Sequence, residues 1–263
     1  MTRFASPVSA LIICKNEVDM IGPCLESLDF CAEIVVVDSG STDGTLEAID
    51  RYSADGFPIK LVHNDWPGFP RQRQFALERA TQPWCLCIEA DERVDDDLRK
   101  SIVAAVNSAN PSIEGWYIRR RDWLNGYGYA HRWVLHNRLF RLFRRDKVSI
   151  DVTVRVHESF AVQGKTAVMA KGVLLHRRAM SLQDDMARAN SYSTLKVATL
   201  LEQGRKPRLT RLVFSPLANF LKFYLLKRYF LCGRHGFVYA MMVMVYSFAT
   251  EAKLFEANQP DVE

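Results

Sequence analysis

Four short apolar runs, each closed by a polar turn and followed by a stretch with helical spacing, limit what this chain can fold into. They lie at residues 8–14, 34–37, 59–62 and 84–88. All four are too short for core helices and are rich in Val and Ile or bulky apolar residues, so they read as buried strands. Between them, residues 18–28 carry Ile21, Leu25 and Leu28 at helical spacing, with Pro23 expected in the first turn of that helix. Residues 45–52 read as a short helix with Thr42 or Asp43 near its N-cap, and residues 71–80 as a third. After the fourth run, residues 95–107 form a helix that is acidic at its start, as the helix dipole favours. This βαβαβαβα order predicts an α/β chain, with a mostly parallel sheet covered by helices on both faces.

The strand ends carry the chemistry. The second run passes into Asp38-Ser39-Gly40-Ser41-Thr42-Asp43-Gly44-Thr45, and the fourth into Glu89-Ala90-Asp91-Glu92. Open α/β sheets bind ligands outside the carboxyl ends of their strands. Carboxylates at i and i+2 of an extended segment point the same way, so Glu89 and Asp91 can face one spot. That suits a hard divalent cation and the diphosphate it neutralises. Asp38 can accept from a base or ribose, while Gly40 and Gly44 let the backbone approach closely. Cys14-Lys15-Asn16-Glu17 stands where a dinucleotide fingerprint would need glycines, and the G-x-x-x-x-G-K-[ST] phosphate loop is absent, so NAD enzymes and P-loop NTPases fit poorly.

The net charge of +5 is unevenly spread. Acidic residues concentrate in the first hundred positions, whereas every charge from Arg205 to Arg234 is basic. The front half therefore reads as catalytic and the rear as meeting something anionic. The six cysteines form no C-x-x-C pair, so zinc is not expected and a reduced, cytosolic protein is. No signal peptide is expected at the N-terminus. Further strands are expected at 115–120, 139–143, 152–156 and 167–170, then a helix over 181–201 with Ser181 as cap and Asp184 at its third position. The tail repeats Leu212, Leu217, Leu221 and Leu225 at helical spacing among lysines and arginines. Its most apolar stretch, 237–249, has about 13 residues, short of the ~20 that span a bilayer. The tail thus reads as amphipathic helix lying on a membrane surface, or as a hairpin packed on the main domain or a second subunit of a homo-oligomer. The domain reading is 1–205, with a nucleotide-binding half at about 1–110 and an acceptor-side half at about 111–205, then a helical tail at 206–263.

Taken together, the first strand with Lys15-Asn16-Glu17, the Asp38 to Thr45 loop, Trp66-Pro67-Gly68 with Gln72-Arg73, and Glu89-Ala90-Asp91-Glu92-Arg93 resemble the family-two inverting glycosyltransferases of GT-A fold. The resemblance is to the bacterial lipopolysaccharide core β-glycosyltransferases, often glucosyltransferases. It continues through Arg141-Leu142-Phe143-Arg144-Arg145, Val156-His157-Glu158, Leu174-Leu175-His176 and the aromatic, basic tail.

The resemblance implies a UDP-sugar donor, a divalent metal (Mg2+ or Mn2+), a lipid-linked saccharide acceptor, and a place on the cytoplasmic face of the inner membrane. Nucleic acid is not an implied partner. Asp38 would contact the uracil or ribose, Lys15 and Glu17 would flank the nucleotide, and Gln72 and Arg73 would lie near the base or sugar. Asp91 would be the metal ligand of the family's D-x-D motif, with Glu89 standing where the family usually has Asp. Arg141 belongs to a basic run suited to stabilising the departing diphosphate. A carboxylate must take the acceptor's proton: Glu158 is the expected base and Asp151 the reserve. His157 is expected at the metal; it and His176 are each either ligands, phosphate contacts or core histidines. The rivals are a nucleotidyltransferase, which would want a basic glycine-rich loop after the first strand, and a non-catalytic module binding anionic membrane or nucleic acid.

Overall fold

The computed structural model describes residues 4–108, 112–152, 159–178 and 181–259. The chain separates into two compact units, residues 1–121 with 137–177, and residues 122–136 with 178–263.

The first unit opens with β1 (Ser6–Cys14), α1 (Val18–Glu26), β2 (Cys31–Asp38), α2 (Thr45–Ala54), β3 (Ile59–His63), α3 (Phe69–Arg79), β4 (Trp84–Glu89), β5 (Glu92–Val94) and α4 (Asp96–Val106). Then follow β6 (Gly115–Leu124), β8 (Asn137–Arg144), β9 (Val148–Asp151), β10 (Ser159–Val162), β11 (Thr166–Val168) and β12 (Leu174–His176), while the short β7 (Gly128–Tyr129) falls in the second unit. The main sheet runs β3-β2-β1-β4-β8-β6-β12-β5. The first four strands are parallel, with Cys14 opposite Asp38, Ile13 opposite Glu89 and Asp38 opposite His63, so their carboxyl ends line one edge. Beyond β4 the sheet becomes mixed, because β8 enters antiparallel with Leu86 opposite Leu142.

Side-chain alternation along the central strands builds two apolar layers. Val8, Ala10, Ile12, Ile34, Val36, Leu86 and Ile88 face α1, α2 and α4 through Ile21, Leu25, Ile49, Leu98 and Ile102. Leu11, Val35, Val37, Cys85 and Cys87 face α3 through Ala76 and Leu77. Each fully buried aliphatic side chain contributes about 1.5–3 kcal/mol, so the two-sided burial of these strands fixes their register. All six cysteines are buried and outside any disulfide, and burial pushes the Cys85 thiol up to about 12.

Local details refine the sequence reading. Pro23 falls inside α1 rather than in its first turn, where it removes one helical N–H. The N-cap of α2 is Gly44 at φ 94°, while Asp43 Oδ1 accepts from the Thr45 N–H at 3.1 Å. Asp95 caps α4 by accepting from the Leu98 N–H at 2.8 Å. The strand expected at 152–156 falls almost wholly on residues 153–158, outside the described residues.

The second unit contains α5 (Leu182–Glu202), α6 (Leu209–Leu221) and α7 (Gly233–Glu256). Ser181 and Asp184 form the expected capping box of α5. α5 joins α7: Val197 and Leu200 pack on Leu254, Lys253 Nζ reaches Asn190 Oδ1 (2.7 Å), Ser193 Oγ (2.9 Å) and Thr194 Oγ1 (2.7 Å), and Arg205 pairs with buried Glu251. α5 therefore belongs with the tail helices, where the sequence reading had ended the first domain at 205. The apolar stretch 237–249 also proves to be the middle of a longer helix. Tyr229–Glu256, 28 residues, is by length and composition apolar enough to cross a membrane. The extension arises because Glu251 and Lys253 find partners on the 190–205 segment instead of ending the helix.

Candidate functional site

The site is built on the carboxyl edge of β1, β2 and β4. The two loops after β1 and β2 are fastened to each other. The Asn16 N–H donates to Ser41 Oγ (2.8 Å) and Asn16 Oδ1 accepts from the Thr42 N–H (2.8 Å). The Glu17 N–H donates to Thr45 Oγ1 (2.8 Å), and the Val18 N–H to Asp43 Oδ2 (3.2 Å). Asn16, at φ 56°, takes the left-handed conformation that Asn tolerates better than most residues.

Asp38 is buried, and its carboxylate organises the loop that follows it. Oδ2 accepts from the Gly40 and Ser41 N–H groups at 2.7 and 2.9 Å, and Oδ1 from the Ser41 hydroxyl. Gln72 is also fully buried. Its Nε2 donates to Ser39 Oγ (2.9 Å) and the Asn64 carbonyl (3.1 Å), and its Oε1 accepts from Asn64 Nδ2 (2.6 Å). Gln72 thus ties α3 to the ends of β2 and β3. Lys15 is exposed and Glu17 half-buried at the rim.

The acidic turn after β4 lies in a network of arginines. Arg141 Nη2 donates to Glu89 Oε1 (2.7 Å) and Glu92 Oε1 (3.0 Å), and Arg73 Nη2 donates to the same Glu89 oxygen (3.0 Å). Arg120 approaches Glu92 at 3.8 Å. Glu92 Oε2 also accepts the Glu89 backbone N–H at 3.1 Å, which closes the Glu89 to Glu92 turn on itself. Burial opposes ionisation of Glu89, but Arg141 and then Arg73 outweigh it and hold the carboxyl well below the usual carboxylate range. Glu92 goes the other way. Complete burial, reinforced by the Glu89 charge, raises its carboxyl against the pull of Arg141 and Arg120.

Asp91 is buried and faces His176, whose Nε2 lies 3.3 Å from Asp91 Oδ2. The antiparallel pair β5–β12 delivers that histidine, with His176 opposite Glu92, and the Arg177 N–H donates to the Asp91 carbonyl at 2.9 Å. Ligand atoms of Glu89, Asp91 and His176 all lie within 4.8 Å of one another. Two carboxylates and an imidazole make a donor set fit for a divalent ion. Because Glu89 is already bound to two guanidinium groups, Asp91 and His176 are the ligands best placed to hold the ion.

The structure thus gathers Glu89, Asp91, Arg73 and Arg141 into one cluster, with Asp38 at the end of β2 and Gln72 on α3 beside the adjoining loop. Asp151 is exposed at the end of β9, opposite Ser159. His157 and Glu158 lie outside the described residues. Glu92, given no role from the sequence, matters here, and Arg120, of an arginine run that the sequence suggests for acidic acceptor groups, approaches it. His176, weighed only as an alternative, is the histidine beside Asp91. A hint was available in the strand-like Leu174-Leu175-His176, but its partner strand is remote in sequence.

A model of glycosyl transferase family 2 matches residues 9–166. The chain is 43% identical over 252 residues to a lipopolysaccharide core biosynthesis glycosyltransferase, LpsC, of Rhizobium meliloti, covering 96% of this chain and 93% of that protein. Among solved structures, it is similar to a mannosyltransferase from Pyrobaculum calidifontis in complex with GDP-Man and Mn2+, with a TM-score of 0.58 and 15% identity over 97% of this chain and 88% of that one. It is also similar to S. aureus TarS 1-349 in complex with UDP-GlcNAc, with a TM-score of 0.51 and 14% identity over 97% of this chain and 93% of that one. At such identities the two structures establish the shared GT-A architecture.

Proposed function

The chain belongs to glycosyltransferase family 2, and from that premise we propose that it moves a hexose, glucose favoured, from a UDP-sugar to a lipid-linked saccharide of the lipopolysaccharide core, with inversion at the transferred carbon. The observation that carries this reading is the acidic turn Glu89 to Glu92 with His176, set beside two interlocked loops at the carboxyl edge of a parallel sheet. The similarity to the R. meliloti core-biosynthesis enzyme over nearly the whole chain supports the acceptor class. The work would take place on the cytoplasmic face of the inner membrane, where such an acceptor presents its saccharide.

In this reading, the loops after β1 and β2 hold the nucleoside, with Asp38 keeping the second loop in shape and Lys15 and Glu17 at the rim. Asp91 and His176 would hold a divalent cation, which would supply Lewis-acid stabilisation of the departing diphosphate. Arg73 and Arg141 fix Glu89 and so hold the turn that carries Asp91 in one conformation. The acceptor hydroxyl attacks the anomeric carbon from the face opposite the leaving UDP. Its proton passes to a carboxylate, assigned to Glu158 with Asp151 in reserve.

Calorimetric titration of UDP into the purified protein, with and without manganese and on wild type and Asp91→Ala, tests the assignment. Manganese-dependent binding that disappears in the variant supports it. Failure of UDP and of every other nucleoside diphosphate to bind under either condition would remove the donor assignment.

A further inference from the structure

α6 turns two polar residues toward α7: Ser215 Oγ lies 3.4 Å from Ser247 Oγ of α7, and Asn219 Nδ2 donates to the same hydroxyl at 2.9 Å. Five of its large apolar residues, by contrast, are exposed. Leu209, Val213, Leu217 and Leu221 follow one another at intervals of four, which places them in a single row along the helix. Phe214 stands beside that row, and Leu226 continues it on the turn that follows. Leu209 is 67% exposed, Phe214 65% and Leu226 70%. A helix of a water-soluble fold does the reverse.

The charges around this stripe all have one sign. No carboxylate occurs between Glu202 and Glu251, whereas Arg205, Lys206, Arg208, Arg211, Lys222, Lys227, Arg228 and Arg234 all fall in that interval. Arg205 pairs with Glu251; the other basic residues flank the stripe at its start (206, 208, 211) and at its end (222, 227, 228, 234).

We propose that this face of α6 lies in the surface of an anionic phospholipid bilayer, parallel to the membrane plane, with its apolar row among the acyl chains and its two basic ends on the headgroups. Charge decides the occupant. A second copy of the chain would bring its own carboxylate-free, basic segment against this one, and like charges would oppose the contact. An anionic lipid surface complements it. Basic residues at both ends of the stripe fit a helix lying flat. α7 does not cross the bilayer in this arrangement, because its last turns carry the buried Glu251 and the Lys253 ammonium, which are held by Arg205 and by α5 within the same unit. The inference is independent of which sugar is transferred.

The test is co-sedimentation of the full chain with vesicles of phosphatidylcholine alone and of phosphatidylcholine mixed with phosphatidylglycerol. Binding is expected to the anionic vesicles, to weaken with added salt, and to be released by an alkaline carbonate wash. The double variant Phe214→Glu, Leu217→Glu should bind at least about tenfold more weakly, since two large apolar side chains leave the lipid. Both positions are exposed, and unchanged circular dichroism and UDP titration would show the fold to be intact. Equal binding by the variant, or no binding by the wild type, overturns the proposal. Retention after carbonate washing would mean that α7 spans the bilayer and would overturn the flat arrangement. A wild-type dimer that the double variant converts to monomer, with vesicle binding unchanged, would assign the stripe to a second copy instead.

Discussion

His176 Nε2 lies 3.3 Å from Asp91 Oδ2, although 85 positions separate the two residues in the chain. The β5–β12 ladder makes that contact, and it turns a single acidic turn into a mixed oxygen and nitrogen donor set. His176→Ala should therefore weaken manganese-dependent UDP binding by roughly tenfold or more, while Asp91→Ala abolishes transfer and leaves the fold intact. Calorimetry and a transfer assay, both run with circular dichroism as a control, check the pair. Full activity in Asp91→Ala would remove the metal argument altogether.

Glu92 and Arg141 form a fully buried ion pair at 3.0 Å, completed by Glu89. Removing Arg141 leaves the buried Glu92 with only Arg120 at 3.8 Å, so Arg141→Met should cost about 3 kcal/mol of stability, whereas Glu92→Leu leaves Arg141 its bond to Glu89 and should cost less. The double change Glu92→Leu, Arg141→Met should recover most of that loss, because both charges then leave together. Urea denaturation of the two single variants and the double variant reads the coupling. Simple additivity would show that the pair does not act as a unit.

Asp38→Ala removes the acceptor of two backbone N–H groups, those of Gly40 and Ser41. At about 1 kcal/mol for each hydrogen bond, the expected loss is about 2 kcal/mol, together with a weaker UDP complex. Should the denaturation midpoint fall while UDP affinity stays at the wild-type level, Asp38 serves the loop alone and has no part in nucleotide binding.

Glu158→Gln keeps the shape of the side chain and removes its capacity to take a proton. Turnover should fall by about a hundredfold or more with UDP binding preserved. Undiminished turnover sends the base assignment to Asp151, whose exchange for Asn is the companion experiment.

Much of this architecture was legible in the sequence because its determinants are local. β1, β2 and β4 announce themselves as short apolar runs, and the Ser181–Asp184 capping box is written within four residues. What was not legible depends on pairing across long distances. Nothing near Leu86 says that Leu142 will lie opposite it, so the antiparallel entry of β8, which brings Arg141 to Glu89, could not be read in advance. For the same reason neither the burial of Glu92 nor the place of His176 beside Asp91 could be read from the sequence. The full length of α7 was not legible from the apolar stretch 237–249 alone, because Glu251 and Lys253 continue the helix beyond it. Their partners, Arg205 and Asn190, lie on another part of the chain.

The reciprocal hydrogen bonds between Asn16 and the Ser41-Thr42 pair hold the two edge loops together before any ligand arrives. A nucleotide entering this edge therefore finds walls already in place and has little chain left to immobilise. Its complex should form with a small entropic penalty, and the loops should exchange their amide hydrogens slowly even in the empty protein.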